Sequence, residues 1–164
     1  FFLLGQGRPE YMKSFKTMSK RYSNKMKAIF TFEHPLSKLI YAGSDMLLMP
    51  SKFEPCGLTD MVSMRYGTLP IVHLVGGLKD VVRDEYSGFS FVEFNQGALL
   101  STIARAVNVY SDYQNLRKLR REKESKWAGM MLHVMRKDVS WKKSARQYRT
   151  IYRKAIEKRQ SLIK

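Results

Sequence analysis

Cysteine is nearly absent: the 164 residues contain one, Cys56. That excludes a disulfide framework within the chain and a cysteine-rich zinc site, and it suits a reducing compartment. Long apolar runs are missing too, none approaching the ~20 residues that a membrane-spanning helix needs. Acidic residues are few, 14 against 30 lysines and arginines, for a formal net charge of +16. Neither an initiator methionine nor a basic segment precedes the opening Phe1-Phe2-Leu3-Leu4, so this run is not a signal peptide. It reads as a buried strand cut into by the chain start, and the expectation is a chain that forms part of a longer protein. No internal repeat and no low-complexity linker interrupts the sequence. With 44% apolar residues, the chain has enough to build a core and is not a disordered segment.

The positive charge is uneven. Residues 1–100 carry 12 basic and 9 acidic side chains, a net of +3, whereas residues 101–164 carry 18 and 5, a net of +13. A tail this basic can bind polyanions with salt-sensitive affinity and no sequence readout. The alternative is a solvated helix face, because Arg117, Lys118, Arg120, Arg121, Lys123 and Lys126 sit among good helix formers. No nucleic-acid-binding motif accompanies the charge, and the tail aromatics Trp127, Trp141, Tyr148 and Tyr152 are spaced for packing. Nucleic acid is therefore not the expected partner.

Apolar runs alternate with helical stretches along the first hundred residues. Phe1–Leu4 breaks at Gly5-Gln6-Gly7, and Pro9 suits the first turn of a helix to about Arg21, where its missing N–H costs nothing. Ala28–Phe32 is a second strand, and Pro35 opens a short helix over Leu36–Tyr41. Asp45–Met49 is a third strand, closed by Pro50, and Leu58–Tyr66 is a helix stopped at Gly67. Leu69–Val72 and Ser90–Val92 supply the fourth and fifth strands. From Gly97 the pattern turns helical, with Leu99, Ile103, Ala106, Val107 and Tyr110 on one face, then helices at about 113–137 and 141–158. Met130, Met131 and Met135 read as core filler in that stretch. Short continuous apolar strands alternating with helices describe a doubly wound, Rossmann-like parallel sheet covered on both faces, followed by C-terminal helices.

Such sheets bind ligands beyond the carboxyl ends of their strands. Three loops qualify: Gly5-Gln6-Gly7, Ser51–Gly57 and His73–Leu78. In the second, Glu54 projects at the ligand-facing end, and the amides of Cys56, Gly57 and Leu58 form a helix N-terminus suited to sugar oxygens or a phosphate. Glu54 can accept from two vicinal hydroxyls or can simply cap the helix, where an acid is favoured; spacing does not choose between them. Gly76-Gly77 permits close backbone approach to a ligand, or is a plain turn. Gly5-Gln6-Gly7 lacks the third glycine of a dinucleotide fingerprint. Cys56 at a helix N-terminus is a candidate reactive thiol, though its backbone is the more useful part.

Taken together, three stretches resemble the bacterial glycogen synthase and plant starch synthase family. They are Pro35–Asp45 (PLSKLIYAGSD), Pro50–Thr59 (PSKFEPCGLT) and Met64–Pro70 (MRYGTLP). Phe53-Glu54-Pro55-Cys56-Gly57-Leu58 is the specific part, and Asp138-Val139-Ser140-Trp141 with Ala145, Tyr148 and Tyr152 looks like the family's final helix. The resemblance implies the C-terminal half of a retaining glucosyltransferase of two-domain GT-B architecture. Residues 1–137 would form the nucleotide-sugar-binding domain, shortened at its N-terminus, and 138–164 the helix that packs back toward the N-terminal domain. The implied reaction transfers glucose from ADP-glucose, or UDP-glucose, to the non-reducing end of an α-1,4-glucan, with neither metal nor cofactor. Carried onto this chain, Glu54 would hold the donor glucose hydroxyls as the residue central to catalysis. Cys56, Gly57, Leu58, Thr59, Gly76 and Gly77 would bind the donor, and Phe32 would stack on the nucleobase unless it is a core phenylalanine. The compartment would be bacterial cytoplasm or plastid stroma.

The pattern also departs from the family. His73 stands where arginine is usual, Val75 where threonine is, and Asp60 where glutamine is. Val75 lacks a hydroxyl near the expected phosphate, and Asp60 adds negative charge, so both changes should weaken donor binding. Val62 takes a position where the wider superfamily has a second acid, which favours the starch/glycogen branch. The lysine- and glycine-rich donor loop and the arginine/lysine pair for the diphosphate are not in this chain, so these residues alone are not expected to catalyse transfer. Two further readings stand beside this one: a diverged non-catalytic glucan-associated or regulatory module, and a polyanion-binding protein acting through the basic tail.

Overall fold

In the computed structural model, residues 1–31 and 33–162 are described. Among these residues five short strands and seven helices follow one another, in the expected alternation except for one unanticipated short helix between the fourth and fifth strands. They are β1 (Phe2–Leu4), α1 (Pro9–Arg21), β2 (Lys27–Ile29), α2 (His34–Gly43), β3 (Met46–Met49), α3 (Leu58–Arg65) and β4 (Leu69–His73). Next come α4 (Leu78–Val81), β5 (Phe89–Phe91), α5 (Gln96–Lys118), α6 (Lys126–Arg136) and α7 (Trp141–Leu162). Every strand pairing is parallel. The strands form two groups, β1–β2 and β3–β4–β5, in place of the single sheet expected. Among the described residues β1 bonds only to β2 and β3 only to β4, so each group keeps an edge without a strand beside it.

β4 lies in the middle of the larger sheet and is buried throughout. That is why Leu69, Ile71 and Val72 are uniformly apolar rather than alternating. Met64 from α3, Leu78 from α4, Phe89 from β5 and Ala106 from α5 close around it. The largest fully buried side chain is Trp127 of α6, 1% exposed, stacked on Phe89 at 6.1 Å and edge-on to Tyr110 at 5.0 Å.

The C-terminal half departs from the expectation in two respects. The helix expected over 113–137 is broken. α5 continues through Tyr113 to Lys118, Arg120 takes a left-handed φ of +57°, and a 3-10 turn at Glu122–Glu124 leads into α6. Ser125 then caps α6, its hydroxyl accepting from the Ala128 amide at 3.1 Å. The tail aromatics also divide. Trp127 packs, but Trp141 is 82% exposed, and Tyr148 and Tyr152 share its open face on α7. Of the methionines, Met130 is buried and Met131 lies against the core, while Met135 is exposed. No described helix is long and apolar enough to cross a membrane.

Candidate functional site

Parallel pairing puts the carboxyl ends of β3, β4 and β5 at one edge, so the loops that follow β3 and β4 must meet there. They pack backbone against backbone. The Gly77 amide donates to the Glu54 carbonyl at 3.1 Å. A Cβ on Gly76 would stand 1.8 Å from that same oxygen, and one on Gly77 would stand 2.4 Å from the Cys56 carbonyl. The two glycines therefore serve the approach of one loop to the other. Gly57, at φ +78°, closes the first loop as the N-cap of α3, and a Cβ there would meet Leu78 at 2.8 Å and the Asp60 carboxylate at 2.9 Å.

Having no side chain, Gly57 cannot cap α3, so the first-turn amides lack that partner. Glu54 does not take the role either. Its half-buried carboxylate accepts from the Ser51 hydroxyl at 3.2 Å, its one side-chain bond among the described residues. Leu58 and Thr59 are exposed just beyond. They border a cavity of about 390 Å³ whose other walls include Gly5 after β1, Thr31 after β2, and His34 and Lys38 of α2. The first turns of α2 and α3 thus border one concavity, whose wall carries both Lys38 and Glu33. Val62 lines it too; Glu54 does not.

Of the residues expected to bind the donor, Glu54, Cys56, Gly57, Leu58, Thr59, Gly76 and Gly77 are brought into this one cluster of loops. Phe32 lies outside the described residues. The Cys56 side chain is exposed and free. Reasoning from sequence missed Ser51, which holds the glutamate, and the α2 residues His34 and Lys38; the only signal was a serine three residues before Glu54 and a proline in the first turn of α2.

Two of the three departures sit below the surface rather than in the ligand space. Asp60 is fully buried, with neither oxygen hydrogen-bonded among the described residues. Loss of water pushes its carboxyl up to about 6. The Asp60 and Met61 amides and the Lys137 ammonium oppose that rise without completing a hydrogen bond to it, and the Glu54 charge adds to it. His73 is 5% exposed and packs against Phe91 at 5.3 Å and Phe94 at 5.0 Å. Its Nδ1 is 2.7 Å from the Ser51 carbonyl and its Nε2 is 3.0 Å from the Val92 carbonyl.

Known proteins resemble this chain in sequence and in fold. The sequence profile described as "Glycosyl transferases group 1" matches residues 2–123. A glycogen synthase of Kosmotoga olearia is 39% identical over 99% of this chain and 33% of its own length. One from Lactococcus lactis is 45% identical over 92% of the chain and 30% of its own length. The catalytic domain of Starch Synthase IV from Arabidopsis thaliana, solved with ADP and acarbose, superposes with a TM-score of 0.76 at 31% identity, covering 96% of this chain and 32% of that one. The chain spans about a third of the length of the relatives it matches. With most of its residues matching the family profile, the chain belongs to the group 1 glycosyl transferases.

Proposed function

We propose that this chain is the donor-binding portion of a starch or glycogen synthase. The whole enzyme would transfer glucose from ADP-glucose, or UDP-glucose, to the non-reducing end of an α-1,4-glucan with retention, in bacterial cytoplasm or plastid stroma. The observation that carries the reading is the loop from β3 to α3. It offers a carboxylate held by Ser51 and the uncapped start of α3, next to a cavity that the first turn of α2 also borders. Glu54 would accept hydrogen bonds from vicinal glucose hydroxyls, and the amides from Cys56 to Thr59 would orient the same sugar. Positioning of this kind and fixed donors for the departing nucleoside diphosphate are what such a transfer demands. The ADP and acarbose named with the Arabidopsis structure support a nucleoside diphosphate and a glucan-like acceptor as ligands.

Residues 1–137 would be the nucleotide-sugar domain and 138–164 a helix returning toward an N-terminal domain. In support, α7 exposes Trp141, Tyr148, Tyr152 and Ile156 along an open groove of about 540 Å³. The N-terminal domain would supply the lysine- and glycine-rich donor loop and most of the acceptor contacts, so the 164 residues alone would be inactive.

Calorimetric titration of the chain with ADP, ADP-glucose and UDP-glucose tests the reading. ADP-glucose should bind weakly, and Glu54→Ala should cut its affinity at least tenfold, about 1.4 kcal/mol, while leaving ADP binding intact. Equal binding of ADP and ADP-glucose, unmoved by the substitution, would remove Glu54 from the sugar site.

A further inference from the structure

We infer that His73 is the positioning residue for Glu54, its ring bridging the glutamate's loop and the exit of β5. This rests on the reading of Glu54 as the sugar-binding carboxylate.

The connection runs through one residue. His73 ends β4, and its Nδ1 faces the Ser51 carbonyl at 2.7 Å. The hydroxyl of that same Ser51 donates to Glu54 Oε2 at 3.2 Å. On the other side of the ring, Nε2 faces the Val92 carbonyl at 3.0 Å, just past β5. A carbonyl oxygen can only accept, so a ring nitrogen that carries hydrogen donates to the carbonyl facing it, and hydrogen on Nδ1 ties the ring to Ser51. The ring also packs against Phe91 and Phe94.

Elsewhere the loop is held through its backbone, packed against Gly76 and Gly77. The Gly77 amide grips the Glu54 carbonyl, which fixes the backbone at residue 54 but leaves the side chain free to rotate. Ser51 fixes the side chain, and His73 fixes Ser51. A merely structural histidine would need one partner, and that partner need not lie in the glutamate's loop. Arginine is a donor with several N–H groups and no acceptor, so it can take the same donor role from a longer side chain.

Two measurements on this chain test the inference. In the 15N spectrum of the ring, His73 Nδ1 should carry hydrogen; hydrogen on Nε2 alone would remove the tie to Ser51 and overturn the inference. Hydrogen exchange is then compared for the parent, His73→Phe, which keeps a ring against the two phenylalanines without donors, and His73→Arg. Amides of 51–57 should exchange at least tenfold faster in His73→Phe while those of β4 and α6 do not change, and His73→Arg should restore most of the protection. Acceleration in β4 and α6 together with the loop, or no rescue by arginine, would reduce His73 to a core residue. Neither readout needs a sugar nucleotide. If ADP-glucose fails to bind the parent, the donor-site reading falls while the exchange data still decide whether His73 holds the loop.

Discussion

Gly76 and Glu54 belong to different loops, yet a Cβ on the glycine would stand 1.8 Å from the glutamate's carbonyl oxygen. The clash is with backbone, which no rotamer change relieves. Gly76 also has φ +49°, in the left-handed region where L side chains are strained. Gly76→Ala should therefore cost about 1–3 kcal/mol from the dihedral alone, and it should push the Glu54 loop outward. Denaturation would report the first effect, and hydrogen exchange over 51–57 the second. An alanine variant with parental stability and parental loop protection would contradict this geometry.

Two tryptophans a helix apart should respond in opposite ways to truncation. Trp127 is stacked on Phe89 and sealed by Tyr110, so Trp127→Ala leaves a large void and should destabilise by about 3–5 kcal/mol. Trp141 projects from α7 with 82% of its surface exposed, and Trp141→Ala should stay within about 0.5 kcal/mol of the parent. Urea denaturation of both variants separates the two sites. A substantial loss from Trp141→Ala in this chain would mean that α7 packs on the body of the domain.

How much of this was legible depends on whether the signal was local. The strand–loop–helix that delivers Glu54 was, because an apolar run ends at Pro50 and a glycine precedes the next helix. The break after α5 was not. Leu116–Glu124 consists mostly of good helix formers, and the chain turns there only because Arg120 adopts the left-handed region and Trp127 must reach Phe89. Tertiary packing overrides propensity at that point. His73 and Asp60 stood out in the sequence as odd residues at familiar positions. Their surroundings could not be read, since Phe91, Val92 and Lys137 come from elements well removed in sequence.

Arg105 joins three elements through carboxylates in one turn. From α5 it donates to Asp84 at 3.0 and 3.2 Å and to Glu85 at 2.8 Å, and Lys126 at the start of α6 bonds Glu85 as well. Glu85 has φ +54°, so the pairing also holds a backbone conformation that is unfavourable by itself. The network is part-exposed, so solvent screens it; Arg105→Met should cost only about 1 kcal/mol. Raising salt to about 1 M should narrow the gap between parent and variant. A gap unchanged by salt would assign the loss to packing of the arginine stem instead.

Two aspartates should tilt the pH dependence of stability in opposite directions. For Asp84, burial alone would raise the carboxyl, but bonds from Arg105 and the Ser90 amide outweigh it and hold the group below its ordinary 3.8. Its contribution is present above pH 3.8 and is lost as pH falls through the lower native value. Asp60 behaves conversely: the native carboxyl keeps its proton up to about pH 6, whereas the unfolded chain releases it near 3.8. Between those values only the native state carries the proton, so stability falls as pH rises and levels off above 6. At ~1.4 kcal/mol per unit, the penalty at neutral pH is on the order of 2–3 kcal/mol. Asp60→Asn fills the same space without ionising, but it leaves a buried amide short of partners, which takes back part of the gain. It should stabilise the chain by roughly 1–2 kcal/mol at pH 8 and abolish the decline between pH 4 and 6. Urea denaturation of parent and variant across pH 4–8 would show the two curves converging toward acid and separating toward base. Curves that run parallel throughout would mean that Asp60 ionises as freely in the folded chain as in the unfolded one.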